Sequence, residues 1–163
     1  MFVHVGFMTE SIQQPKELEL LKQLIGEWAV GIAMKTSEEK IVSGCGEMTV
    51  VEIKDVGINS EIETHIEGYD DYYENDFWSF DSSSGKLHLF SITSEGEVHD
   101  HVGNWNDVNA LELNWRGTFE DQELEEKIIV KWLSKDQIEL KEIHTALGKV
   151  VLTVDYIFKR KEN

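Results

Sequence analysis

The stretch Leu18-Glu19-Leu20-Leu21-Lys22-Gln23-Leu24-Ile25-Gly26-Glu27-Trp28-Ala29-Val30-Gly31-Ile32-Ala33-Met34 changes its period halfway along. Leu18, Leu21, Leu24 and Ile25 recur at the spacing of one helical face, whereas Trp28, Val30, Ile32 and Met34 recur every second residue, the spacing of one strand face. Pro15, the single proline, stands where a helix can begin, with Gln13 and Gln14 as weak caps, and Gly26 stops it. Each element has one apolar side and needs a neighbour to cover it. A short helix whose stripe plugs the end of a curved sheet satisfies both.

Working outward, alternation of period two returns near residues 43–53, 57–67, 75–81, 85–93, 97–105, 110–117, 122–133, 136–146 and 149–160, which with the segment from Trp28 makes ten strands. The connections Asp81-Ser82-Ser83-Ser84-Gly85, Ser94-Glu95-Gly96 and Ala146-Leu147-Gly148-Lys149 are short and carry glycine, so each turns the chain straight back. Ten strands with one helix would leave sheet edges that nothing else in the chain can cover, and closing the sheet removes them. The predicted fold is therefore mainly β, a single antiparallel up-and-down β-barrel of about ten strands with one short N-terminal helix closing one end. An open two-layer sandwich fits the same periodicity and stands as the rival.

The chain of 163 residues reads as one domain over residues 15–163, long enough to bury a core without disulfide or metal staples. Residues 1–14 read as a flexible N-terminal extension. Their apolar opening, Met1-Phe2-Val3-His4-Val5-Gly6-Phe7-Met8, lacks the basic start and the length of a signal peptide, and Met8 offers a second start for translation. No run approaches the ~18 apolar residues of a membrane helix, so no membrane partner is expected. With Cys45 as the one cysteine, no intrachain disulfide forms, and a cytoplasmic address is expected. Thirty-two acidic residues against 15 basic ones give a formal charge of −17. That field keeps the protein soluble, repels phosphate backbones and argues against nucleic acid as a partner.

The helix running into Gly26-Glu27-Trp28, the ten strands, and Arg160 in Phe158-Lys159-Arg160 at the end of the last one resemble the calycin superfamily, which includes lipocalins, fatty-acid-binding proteins and nitrobindins. The stretch from Phe80-Asp81-Ser82-Ser83-Ser84-Gly85-Lys86-Leu87-His88-Leu89-Phe90 through Gly103-Asn104-Trp105 is similar to uncharacterised small calycin-like proteins of prokaryotes. The resemblance implies a barrel more firmly than a task. In lipocalins the tryptophan of a Gly-x-Trp motif seals the barrel floor and an arginine from the last strand packs across it. Trp28 and Arg160 are therefore expected to touch, guanidinium over indole, as a structural closure. Nitrobindins hold haem through a histidine near the C-terminus. Here the final strand, residues 150–160, has none, and the nearest is His144 on the strand before, close to a turn, which departs from that pattern.

Histidine is the most chemically suggestive residue type in the chain. His99 and His101 flank Asp100, so period two sets both imidazoles on one strand face, and His88 lies on the preceding strand of the same hairpin. Three imidazoles on adjacent strands can bind zinc and leave a fourth position for water. Register decides whether they meet. An even number of loop residues around Ser94-Glu95-Gly96 puts His88 on the shared face; three residues with Gly96 in the left-handed position point it away, and the glycine's placement favours this split. The plainer use of these side chains is as polar groups in a cavity wall or on a solvated face, or as orienters of a polar ligand. No cofactor is predicted, and zinc and haem are kept as alternatives.

Trp78, Phe80, Phe90, Trp105, Trp115 and Trp132, together with His99 and His101, are the candidate lining of a ligand cavity, although small barrels also fill their interiors with such residues. Leu124, Ile128, Val130 and Trp132 share a face provided Glu126 is accommodated among them. The acidic run at residues 67–76 lacks calcium-loop spacing and reads as a solvated loop at the barrel mouth. Cys45, between two glycines, reads as a small buried thiol. Nucleophile-elbow, phosphate-loop and dinucleotide patterns are missing. The sequence points to a binding protein for a small, at least partly apolar molecule, with no catalytic residue named. Its rivals are a metal-dependent enzyme or metal-binding protein built on His88, His99 and His101, a haem protein, and a solid barrel that forms a homodimer.

Overall fold

The computed structural model describes residues 16–119 and 122–162; the expected extension at 1–14 lies outside them. Helix α1 (Lys16–Leu21) tightens into one 3-10 turn (Lys22–Leu24) and feeds ten strands. These are β1 (Gly26–Thr36), β2 (Ile41–Ile53), β3 (Gly57–Ile66), β4 (Tyr72–Asp81), β5 (Lys86–Thr93), β6 (Val98–Asp107), β7 (Ala110–Phe119), β8 (Gln122–Ser134), β9 (Gln137–Ala146) and β10 (Lys149–Arg160). Consecutive strands pair throughout, and β1 also pairs with β10, so the sheet is a closed up-and-down barrel. That last antiparallel ladder, from Trp28 opposite Arg160 to Thr36 opposite Leu152, rules out the open sandwich.

The alternation places most of the core as the sequence predicts, with a correction at the acidic run and others at Phe90 and Cys45, which are exposed. β4 begins at Tyr72, because Tyr72, Tyr73 and Glu74 pair with Thr64, Glu63 and Ile62 of β3. Residues 72–76 are therefore barrel wall and not loop. Buried side chains carry even numbers on β1 to β4 and on β8 to β10, and odd numbers on β5 to β7. The change comes from the β4–β5 and β7–β8 registers, in which Trp78 faces Leu89 and Leu111 faces Val130.

One end is closed by the helix, whose Leu18 and Leu21 join Leu24 in the core. Trp28 is fully buried beneath it, and its Nε1 donates to the Leu24 carbonyl at 2.8 Å. The Arg160 guanidinium lies over the indole, 4.1 Å from the ring centroid. Its Nη1 and Nη2 donate to the Ile25 and Gln23 carbonyls at 2.7 and 2.9 Å, and Nε donates to the Lys135 carbonyl at 3.1 Å. The arginine thus both covers the tryptophan and satisfies carbonyls left over where the helical turn ends. Gly26 is required at this point, since it sits at φ +132° and any Cβ there would collide with Nη1 of Arg160.

Candidate functional site

Away from the helix the inner wall becomes polar. Ser60, Thr64, Asp76, Ser91, Thr93, His101 and Glu126 are all buried. A chamber of about 40 Å³ lies between an apolar side that includes Trp78, Leu89, Val130 and Phe158 and a polar side of Ser60, Glu74, Asp76 and Glu142. A second chamber, of about 20 Å³, shares Ile62, Glu74, Leu140, Glu142 and Phe158 with it and adds Thr64, Tyr72 and Tyr156. A water needs about 10–15 Å³ and a drug-sized ligand about 300–1,000 Å³. The interior therefore admits a few non-hydrogen atoms, and a porphyrin does not fit among the side chains as they stand.

Hydrogen bonding in the chamber is incomplete. Trp78 Nε1 donates to Ser60 Oγ at 3.0 Å, and Ser60 Oγ donates to Asp76 Oδ2 at 3.0 Å. Among the described residues Asp76 Oδ1 makes no well-aligned hydrogen bond, and the Ser91 hydroxyl on the paired strand stands beside the carboxyl. Burial, reinforced by the neighbouring Glu74, holds the Asp76 carboxyl well above the ordinary carboxylate range. Burial also raises Glu142, against the opposing effect of His144 and with the charges of Glu126 and Glu74 adding to it. Two phenols close this belt. Tyr156 donates to Glu142 Oε2 and Tyr72 to Glu74 Oε2, each at 3.2 Å, and burial pushes both hydroxyls up.

Beside the belt stands a cluster of histidines around one carboxylate. On β8, Glu126 pairs with Trp115 of β7 and His144 of β9, so all three share the inner face. Its Oε2 lies 3.0 Å from His101 Nε2 and 3.4 Å from His99 Nδ1. Burial would raise the Glu126 carboxyl, but His101 and His99 beside it outweigh burial and hold it below the usual range. His144 shows the reverse balance. Burial lowers it, while Glu142 (3.8 Å) and the charges of Glu126 and Glu97 bring it to a net rise. His99 is fixed on two sides, by Trp115 stacked on its ring at 3.8 Å and by Glu97 3.5 Å from its Nε2.

The placement of the predicted residues is mixed. Trp78 lines the chamber, and His99, His101 and Trp115 meet on the inner wall. Trp105 and Trp132 pack on each other with ring centroids 4.8 Å apart and, like Phe80, fill the core without bordering either chamber. Phe90 is corrected outright. It is 41 % exposed, on the outer surface, because Leu87 and Leu89 take the inward positions of β5. His88 is corrected with it. The β5–β6 turn closes on three residues, with Thr93 N donating to Glu97 O and Gly96 at φ +83°. His88 thereby faces Val102, while Leu89 faces His101. It bonds Asp100 on the outside at 3.0 Å. Cys45 is exposed as well, since it lies at an odd, outward position of β2. Asp76, Glu142 and the partnership of Glu126 with His144 escape the sequence reading. Alternation carried two residues back from Trp78 would have found Asp76.

The architecture is a closed ten-stranded up-and-down β-barrel with a helix at one end, the fold that the calycin resemblance implies. No family model matches the chain, and no curated protein does. Among solved structures it is similar to Rv2717c from M. tuberculosis, with a TM-score of 0.68 and 14 % identity over 92 % of this chain and all of that one. It is also similar to the S-type phycobiliprotein lyase CPES from Guillardia theta, with a TM-score of 0.60 and 12 % identity over 89 % of this chain and 92 % of that one. Identities this low show a shared fold. Among the described residues no helix is long and apolar enough to cross a membrane.

Proposed function

We propose that the protein binds a compact, partly apolar small molecule carrying a cationic or strongly donating head group, in the chamber between Trp78 and Glu142, and performs no covalent chemistry on it. The observation that carries this reading is Asp76 Oδ1, a buried acceptor left over on the polar side of a chamber whose other side is apolar. Buried polar groups are costly unless paired, and an ammonium head with a short alkyl body meets both walls. The lyase relative supports the architecture and supplies no substrate. A reducing compartment goes with the proposal, on the strength of a single, exposed cysteine.

Titration with butylamine against 1-butanol, followed by the fluorescence of Trp78 among the other tryptophans, tests the idea. Butylamine is expected to bind more tightly, and to tighten as pH rises through the raised Asp76 range, because the cation needs the ionised carboxylate. Asp76→Asn should abolish the preference. Equal binding of amine and alcohol, or no binding of either, refutes the proposal. A second reading, self-association, is favoured by one outer-face patch in which Phe77 faces Phe90 and Ile92 faces Val98, all exposed. Sedimentation of Phe90→Ser against the parent decides it, and a parent that is monomeric at high concentration ends it.

A further inference from the structure

We infer that His99, His101 and Glu126 form a binding site for a divalent transition-metal ion, with His144 next to its open side. The inference is independent of the amine chamber, which His99, His101 and Glu126 do not line. Its first support is the state of His101. This side chain is 2 % exposed, and among the described residues neither ring nitrogen has a well-aligned hydrogen-bond partner. Nε2 stands 3.0 Å from Glu126 Oε2 at an angle that makes no hydrogen bond. An imidazole buried in this way exchanges its hydration for one poorly aligned carboxylate contact, a cost that a ligand shared by Nε2 and Glu126 removes.

The second support is spacing. Two donors held ~2.0–2.1 Å from a tetrahedral ion are about 3.3 Å apart. Glu126 Oε2 lies 3.0 Å from His101 Nε2 and 3.4 Å from His99 Nδ1, close to that edge. The donors of Glu126, Glu142 and His144 also lie within 4.8 Å of one another, so Glu126 is common to two such groupings. A set of two neutral imidazoles and one carboxylate suits zinc or its neighbours better than calcium or magnesium, which take oxygen.

The third support is the surrounding shell. Glu97 stands near His99 Nε2, on the far side of the ring from Glu126, and Trp115 stacks on the ring. Such partners set which nitrogen faces a metal and hold the ring's angle. The site also explains why a carboxylate occupies an inward position of β8 between Leu124 and Ile128. It differs from the sequence expectation in its members, since His88 is on the outside and its place is taken by a carboxylate two strands away from the histidines.

The test is calorimetric titration of the chelator-treated full chain with zinc, repeated with cobalt to read its visible absorption. The parent is expected to take up one equivalent, His88→Ala to match it, and Glu126→Gln and His101→Ala to bind at least about tenfold more weakly. Glu126→Gln nearly preserves shape, so it decides the matter if His101→Ala fails to fold. Loss of affinity in His88→Ala equal to that in Glu126→Gln, unchanged affinity in Glu126→Gln, or no uptake by the parent would each overturn the inference.

Discussion

Arg160→Met isolates the closure of the barrel floor. The methionine keeps much of the apolar stem over Trp28 and removes the guanidinium, with its ring contact at 4.1 Å and its three carbonyl acceptors. The cation–π contact at a half-buried position contributes about 1 kcal/mol. The bond to the part-buried Ile25 carbonyl adds about 1.5 kcal/mol, because the donor is charged. The Gln23 and Lys135 carbonyls are exposed and recover water, so they add little. The total is about 2–3 kcal/mol, which in a domain of this length lowers Tm by roughly 5–10 °C. Urea unfolding of the parent, Arg160→Met, Trp28→Phe and the double variant gives the interaction directly. A coupling of about 1 kcal/mol is expected. If Arg160→Met unfolds within about 0.5 kcal/mol of the parent, the last strand does not pin the floor and the reasoning fails.

Two further outcomes test other parts of the wall. The folded Asp76 carboxyl is raised above its unfolded value, so the folded state binds the extra proton, and its stability relative to a neutral side chain falls as pH climbs from the unfolded carboxylate range through the folded one. Asp76→Asn is therefore expected to be more stable than the parent at neutral pH, with a margin that widens as pH rises above the ordinary carboxylate range in urea titrations; a constant or reversed margin contradicts this. Gly103→Ala puts a methyl group against the Glu112 carbonyl and 2.8 Å from the Leu113 Cα. It should cost about 1–3 kcal/mol, as overpacking does, and a neutral effect in thermal melts would show that the β6–β7 ladder can yield there.

Much of the architecture was legible along the chain because its determinants are local. Trp28, Val30, Ile32 and Met34 alternate because successive side chains on a strand point to opposite faces. Gly96 tipped the β5–β6 turn toward three residues because only that geometry wants a left-handed glycine at the third position. The turn in turn sent His88 outward, and with it the idea of a three-histidine centre. Residues 72–76 were hidden because a tyrosine-rich acidic run has the composition of a loop, and its pairing with β3 is a property of the partner strand.

The sequence alone determined the strand count, the up-and-down order and the plugging helix, since each follows from side-chain period or turn chemistry, and its resemblance to lipocalins implied the meeting of Trp28 with Arg160. Tertiary structure alone decided that Glu126 of β8 stands against His99 and His101 of β6 with β7 between them, that one oxygen of Asp76 accepts from Ser60 while the other is left over, and that the interior is tight. Those facts depend on how far each strand is staggered against the next before the sheet closes. Stagger is a sum over ten ladders, and no single segment carries it.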